Sequence, residues 1–100
     1  MKKQFNQAHI ELGDVAKKGS DKVTLERGGT IEWLNVHTDK PAKLDVIVRD
    51  QWGNAVVERK GMKSETTRMG ERISLPITDS YYTVEVDNVE GAKVIDAFLD

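Results

Sequence analysis

From residue 22 to the C-terminus, apolar residues recur at every second position, and no stretch keeps a 3.6-residue apolar stripe over three turns. A strand places successive side chains on opposite faces, so this period is that of half-buried strands and is incompatible with packed helices. Val23 and Leu25 alternate with Thr24 and Glu26. Leu44, Val46 and Val48 alternate with Asp45, Ile47 and Arg49. Ile73, Leu75 and Ile77 form one face, as do Tyr82, Val84 and Val86, and Ala92 to Leu99 reads as a last strand. The alternation slips once, at Trp33-Leu34, where a β-bulge or burial on both faces would account for two adjacent apolar residues. Before residue 22, Ile10 and Leu12 suggest one more strand, residues 17–21 a loop, and residues 1–8 a flexible N-terminal tail, with one helical turn over residues 2–8 as the alternative.

Turn chemistry divides these runs. Arg27-Gly28-Gly29 reads as a tight turn, and Pro41 marks a polar connection because it cannot donate to a ladder. Asp50 to Asn54 (DQWGN) is the strongest turn signal, with Asp suited to the first position and Gly53 to the left-handed one. Residues 60–70 read as a long basic connection with a short edge strand around Thr66-Thr67, and Asn88 to Gly91 as a further turn. The expectation is one domain over residues 1–100. It is an all-β, single antiparallel β-sandwich of seven to eight short strands, with immunoglobulin-like, jelly-roll and cupredoxin-like Greek-key connections all open.

Residues 23–35 (VTLERGGTIEWLN) resemble the strand–glycine turn–strand signature of cupredoxins, which implies a sandwich hairpin. The copper chemistry of that family does not follow: a blue-copper site needs a Cys thiolate with two His, and this chain has no Cys and no His after His37. Residues 46–56 (VIVRDQWGNAV) are similar to a hairpin of bacterial immunoglobulin-like modules, which again implies fold and brings no site.

Composition narrows the function classes. With 15 basic and 17 acidic residues the formal charge is −2, which gives no electrostatic footprint for nucleic acid. The longest apolar runs are three residues, so no membrane span is expected, and cytoplasmic location is the default. Ser20, Ser64, Ser74 and Ser80 sit in no nucleophile motif, and no glycine loop opens a helix to cradle a phosphate, so no enzyme and no cofactor are expected. His37 and Asp39 end a strand; a metal there would need further ligands, with His9 available only if its strand lies alongside. Asp50 with Asn54, and Asp87 with Asn88 and Glu90, read as turn caps rather than a calcium loop.

Five residues stand out for binding: Trp52, Tyr81, Lys60, Lys63 and Arg68. Trp52 lies in a turn, where it either anchors a partner or folds back to cap the end of the sandwich. Tyr81 and Tyr82 face opposite ways, one in and one out. The three cations belong to a segment, Arg59 to Arg72, of net charge +3, against −5 for Asp79 to Asp100. Such asymmetry steers contacts between proteins. The expected function is a non-catalytic β-sandwich module acting through a protein partner or self-association, as a structural or assembly subunit; the alternative is a glycan- or small-ligand-binding sandwich that uses exposed Trp and Tyr.

Overall fold

The computed structural model describes residues 6–13, 16–24, 30–63, 65–76 and 81–100. They form eight antiparallel strands: β1 (Gln7–Glu11), β2 (Gly19–Thr24), β3 (Thr30–Thr38), β4 (Lys43–Arg49), β5 (Ala55–Lys63), β6 (Arg68–Pro76), β7 (Tyr81–Glu90) and β8 (Val94–Leu99). One four-stranded sheet has the order β1-β8-β3-β6 and the other β2-β7-β4-β5. The first strand pairs with the last, the second with the seventh, the third with the sixth and the fourth with the fifth. This is a long antiparallel ribbon wound on itself, the jelly-roll arrangement. It decides among the three connection schemes that the alternation leaves open.

The alternating residues supply the core. Leu34, Val36, Ile95 and Ala97 from the first sheet meet Val23, Leu44, Val46, Val48 and Val84 from the second, all fully buried. Aliphatic, β-branched side chains suit this space because they pack on a pleated surface with little rotamer freedom to lose. Among the described residues only one aromatic ring, that of Tyr82, is buried, and its hydroxyl donates to the carbonyl of Pro76 at 2.6 Å. Tyr82 faces in and Tyr81 out, as the pleat requires.

Three bulges explain where local reading fails. The N–H groups of Glu32 and Trp33 both donate to the one carbonyl of Asp100, at 2.7 and 3.0 Å, so two residues of β3 oppose one of β8. This bulge turns Trp33 outward, where it is 45% exposed, and lets Leu34 return to the core. The other two flank Asp45 of β4. Its Oδ1 accepts the N–H of Gly61 at 2.7 Å, and its Oδ2 accepts the side-chain amide of Asn88 at 2.8 Å. Gly61 (φ 67°) and Asn88 (φ 50°) are both left-handed, and the registers of β4 with β5 and β7 shift there.

The strands therefore continue where glycine and asparagine suggest loops. The expected long connection over residues 60–70 is corrected: Lys60 and Lys63 lie in β5, Arg68 opens β6, residues 65–67 form a bend before it, and Met62 and Met69 are buried in the core. Thr66-Thr67 is part of that bend rather than an edge strand, and the turn expected at Asn88 falls instead after Glu90. Two N-terminal expectations change likewise. Gln7 and the fully buried Ala8 belong to β1 rather than to a tail, and Gly19 to Asp21 begin β2 rather than forming a loop. The Arg27-Gly28-Gly29 turn, Leu25 and Ile77 lie outside the described residues.

Each open side of the sandwich is closed by inward-facing charge on edge strands. On one side Asp21 of β2 accepts the backbone N–H of His9 of β1 at 2.9 Å. On the other, Arg59 of β5 and Glu71 of β6 approach to 3.8 Å, and Arg59 also donates to the carbonyl of Arg72. Charge turned inward on an edge strand would have to be desolvated by an added strand, which discourages pairing with another chain.

Candidate functional site

The outer face of the β2-β7-β4-β5 sheet carries an open groove of about 440 Å³. Ser20, Glu85 and Ile47 lie abreast on β2, β7 and β4 by strand register, with Arg49 and Asp87 one position further along in opposite directions, and Lys18 closes the margin. Ile47 gives the floor an apolar centre. Arg49 Nε and Glu85 Oε2 pair at 3.0 Å, with both side chains about one third exposed. A pair this wet contributes little to stability, and its remaining donors and acceptors are available to a ligand.

Trp52 belongs to the loop at the end of this groove. Arg49 ties groove to loop, since its Nη1 donates to the carbonyl of Gly53 at 3.0 Å. Asp50 organises the loop. Its carboxylate accepts the N–H groups of Trp52 and Asn54, at 3.0 and 2.9 Å, and the side-chain amide of Asn54. Gly53 sits at φ 87° and closes the turn through its N–H to the carbonyl of Asp50. Desolvation pushes the Asp50 carboxyl up, but the donors from Asn54, Trp52 and Gly53 together hold it below the usual carboxylate range. The indole of Trp52 is nonetheless 76% exposed. Capping of the sandwich end by Trp52 is thus overturned: the ring faces solvent, on a loop that Asp50 holds in a tight turn. The backbone that carries this exposed indole is already fixed by these hydrogen bonds, so binding has only the ring's own torsions left to order.

The five sequence-selected residues do not form one cluster. Tyr81 faces out at the start of β7, the same end of the sheet as Trp52, but Lys22 Nζ lies over its ring at 4.6 Å and occupies that face. Lys63 is at the opposite end, beside Lys43 and Glu90. Lys60 stands at the Gly61 bulge of β5, and Arg68 is on the other sheet, across from His37.

On the outer face of the β1-β8-β3-β6 sheet, sequence reading gave no binding role to Trp33, Phe98 or Asp96, and named His9 only as a ligand dependent on where its strand lies. β8 runs between β1 and β3, so Asp96 lies directly between His9 and His37. Among the described residues no three His, Asp or Glu side chains gather as a metal site. His9 Nδ1 is 2.6 Å from Asp96 and Nε2 is 3.0 Å from Glu11, while His37 packs against Phe98 with ring centroids 5.0 Å apart.

The hydrogen bond to Asp96, and next that to Glu11, raise the His9 pKa above its ordinary 6.5, against a small opposing effect of burial. A raised folded-state pKa contributes stability that is fully present below the unfolded value near 6.5 and is lost as pH rises through the folded value. Melting temperature is therefore expected to fall slightly from pH 6 to pH 8 in the wild type, and this component to vanish in His9→Gln. The group is exposed, so its worth is well under ~1 kcal/mol. A melting curve whose pH dependence is the same in both proteins would count against the assignment.

No protein-family model matches the sequence, and the search of curated proteins finds no match. Solved structures do match in fold. The pre-peptidase C-terminal domain of a collagenase from Bacillus anthracis superposes with a TM-score of 0.61 at 7% identity, covering 94% of this chain and 87% of that one. A CBM4 structure gives a TM-score of 0.48 at 14% identity over 94% and 67% of the two chains. A family 35 carbohydrate binding module from an environmental isolate gives 0.44 at 7% identity over 80% and 64%. At these identities the likeness is one of fold: this chain is an all-β sandwich, and among the described residues no helix is long and apolar enough to cross a membrane.

Proposed function

We propose that this chain is a non-catalytic binding module that holds a saccharide in the groove of the β2-β7-β4-β5 sheet, with Trp52 stacking on a sugar ring at the groove's end. The observation that carries the reading is the combination of an indole 76% exposed with a loop pinned by Asp50 and joined to the groove through Arg49. Sugars present flat apolar ring faces edged by hydroxyl groups. A rigid indole suits the face, and Arg49, Glu85, Asp87 and Ser20 offer donors and acceptors for the edge. The groove volume falls within the range of about 300–1,000 Å³ common for ligand sites.

A glycan array followed by calorimetry tests it. Trp52→Ala is expected to weaken the strongest array hit by roughly tenfold or more, the loss of a central aromatic anchor, while stability changes by less than about 0.5 kcal/mol. An array without hits, or a hit that Trp52→Ala leaves unchanged, would overturn the reading.

A protein partner is the second reading, favoured by Val56, which is 40% exposed on the same hairpin as Trp52. Together they make a small apolar tip of the kind that anchors interfaces. Self-association through this tip would appear in sedimentation as concentration-dependent mass, abolished by Trp52→Ala. A monomer at all concentrations and salt levels would exclude that form of it.

A further inference from the structure

The end of the β2-β7-β4-β5 sheet away from Trp52 carries a second open cavity, of about 320 Å³. It is lined by Pro41, Ala42, Lys43, Lys63, Glu65 and Glu90. One wall is the connection between β3 and β4, which is held from several sides. The Thr38 hydroxyl donates to the carbonyl of Lys40 at 2.7 Å, and the Asp39 carboxylate accepts the N–H of Lys93 at 3.0 Å. Gly91 lets the turn after β7 close on this connection, since a Cβ there would stand 2.5 Å from the Pro41 carbonyl oxygen. The backbone around the cavity is thereby fixed before a ligand arrives.

Strand register puts Glu90, Lys43 and Lys63 in one row across β7, β4 and β5, all exposed. Lys43 stands directly opposite Lys63, an arrangement of like charges that costs stability. The stem of Lys43 passes Gly61, with Cε 3.8 Å from where a Cβ of that residue would lie. Among the described residues, none of Lys43, Lys63, Glu65 and Glu90 takes part in an ion pair. The cavity therefore holds two cations and two anions beside an apolar surface of Pro41, Ala42 and the lysine stems.

A plain anion would meet the two acids here, and a plain cation the two lysines. A ligand with one charge of each sign satisfies both. Spacing sets its length. The midpoint between Lys43 and Lys63 is one and a half strand spacings from Glu90, about 7 Å. Two extended residues span about 7 Å, and a single amino acid about half of that. We infer that this cavity binds a dipeptide with free termini and apolar side chains. The peptide's carboxylate accepts from the Lys43 and Lys63 ammonium groups, its own ammonium donates to Glu90, and its side chains rest against Pro41 and Ala42. The site shares no residue with the groove and does not depend on it.

The test is an amide NMR titration of the isotopically labelled chain with leucyl-leucine, N-acetyl-leucyl-leucine, leucyl-leucinamide and free leucine. Shift changes are expected to cluster at Ala42, Lys43, Lys63, Glu90 and Gly91 and to spare Trp52 and Gly53. Leucyl-leucine should bind at least about fivefold more tightly than each of the other three, the upper worth of an exposed ion pair. The double variant Lys43→Gln, Lys63→Gln should bind leucyl-leucine and its amide equally. Glu90→Gln should bind leucyl-leucine and its N-acetyl form equally. Shift changes that are absent or lie elsewhere, a blocked peptide or leucine binding as tightly as leucyl-leucine, or charge variants that keep the wild-type preference would each overturn the proposal. The replaced side chains are exposed, and circular dichroism of each variant confirms that the fold persists.

Discussion

Replacing Leu34 by Ala is expected to remove roughly 2–5 kcal/mol of stability. Leu34 is fully buried where β3 lies between β6 and β8, opposite Glu71 on one side and Leu99 on the other. It is also the first residue back in the core after the Glu32-Trp33 bulge. The strands on both sides are fixed by ladder hydrogen bonds, so the space left by the side chain has little means of collapsing, and the cavity adds to the lost transfer free energy. For a domain whose total stability is about 5–15 kcal/mol, this is a large fraction. Urea denaturation should show a lower midpoint with an unchanged slope. A loss below about 1 kcal/mol would mean that the bulge relaxes to fill the gap.

The second large effect is expected at Gly91, in the turn between β7 and β8. Its φ is 98°, and a Cβ there would lie 2.5 Å from the carbonyl oxygen of Pro41 and 3.3 Å from the Cα of Ala42. The colliding atoms are backbone, in the connection between β3 and β4, so one of two neighbouring turns must move. Gly53 is the natural control: its φ is 87°, but a Cβ there meets nothing within 4 Å. Gly53→Ala should cost only the strain of a left-handed residue, about 1–2 kcal/mol. Gly91→Ala should cost that and an overpacking penalty, about 2–5 kcal/mol in all. Equal losses in the two variants would show that the Pro41 turn yields freely.

The surfaces proposed to bind were legible in part. Asp50 to Asn54 is readable as a turn because Asp and Gly have local conformational reasons to be there, and an indole in a turn is conspicuous. Whether that indole covers the core or faces water depends on how full the core already is, a property of both sheets together. The basic segment Arg59 to Arg72 is conspicuous in composition, yet its members separate on folding. Arg59 turns inward to Glu71, Lys63 goes to one end of a sheet, and Arg68 joins Gly70 and Arg72 on the other sheet's outer face. The strand ends misread at Gly61 and Asn88 share one cause. Both residues favour turns in isolation, but Asp45, sixteen and forty-three positions away, accepts their hydrogen bonds and keeps them within their strands.

The period of two, the aliphatic choice at alternate positions and the Asp-Gly turn chemistry determine that this chain forms short antiparallel strands around one core. These are local properties, set by side-chain direction and backbone preference. The jelly-roll order, the facing of Trp52, and the rows that bring His9 to Asp96 or Arg72 to Trp33 were decided by tertiary structure. Any strand with one apolar face can bury it against several partners, and only the joint packing of eight such strands selects which neighbours meet. The residues proposed here to bind ligands lie on the outward faces, where that selection leaves them, after the inward faces have determined the register.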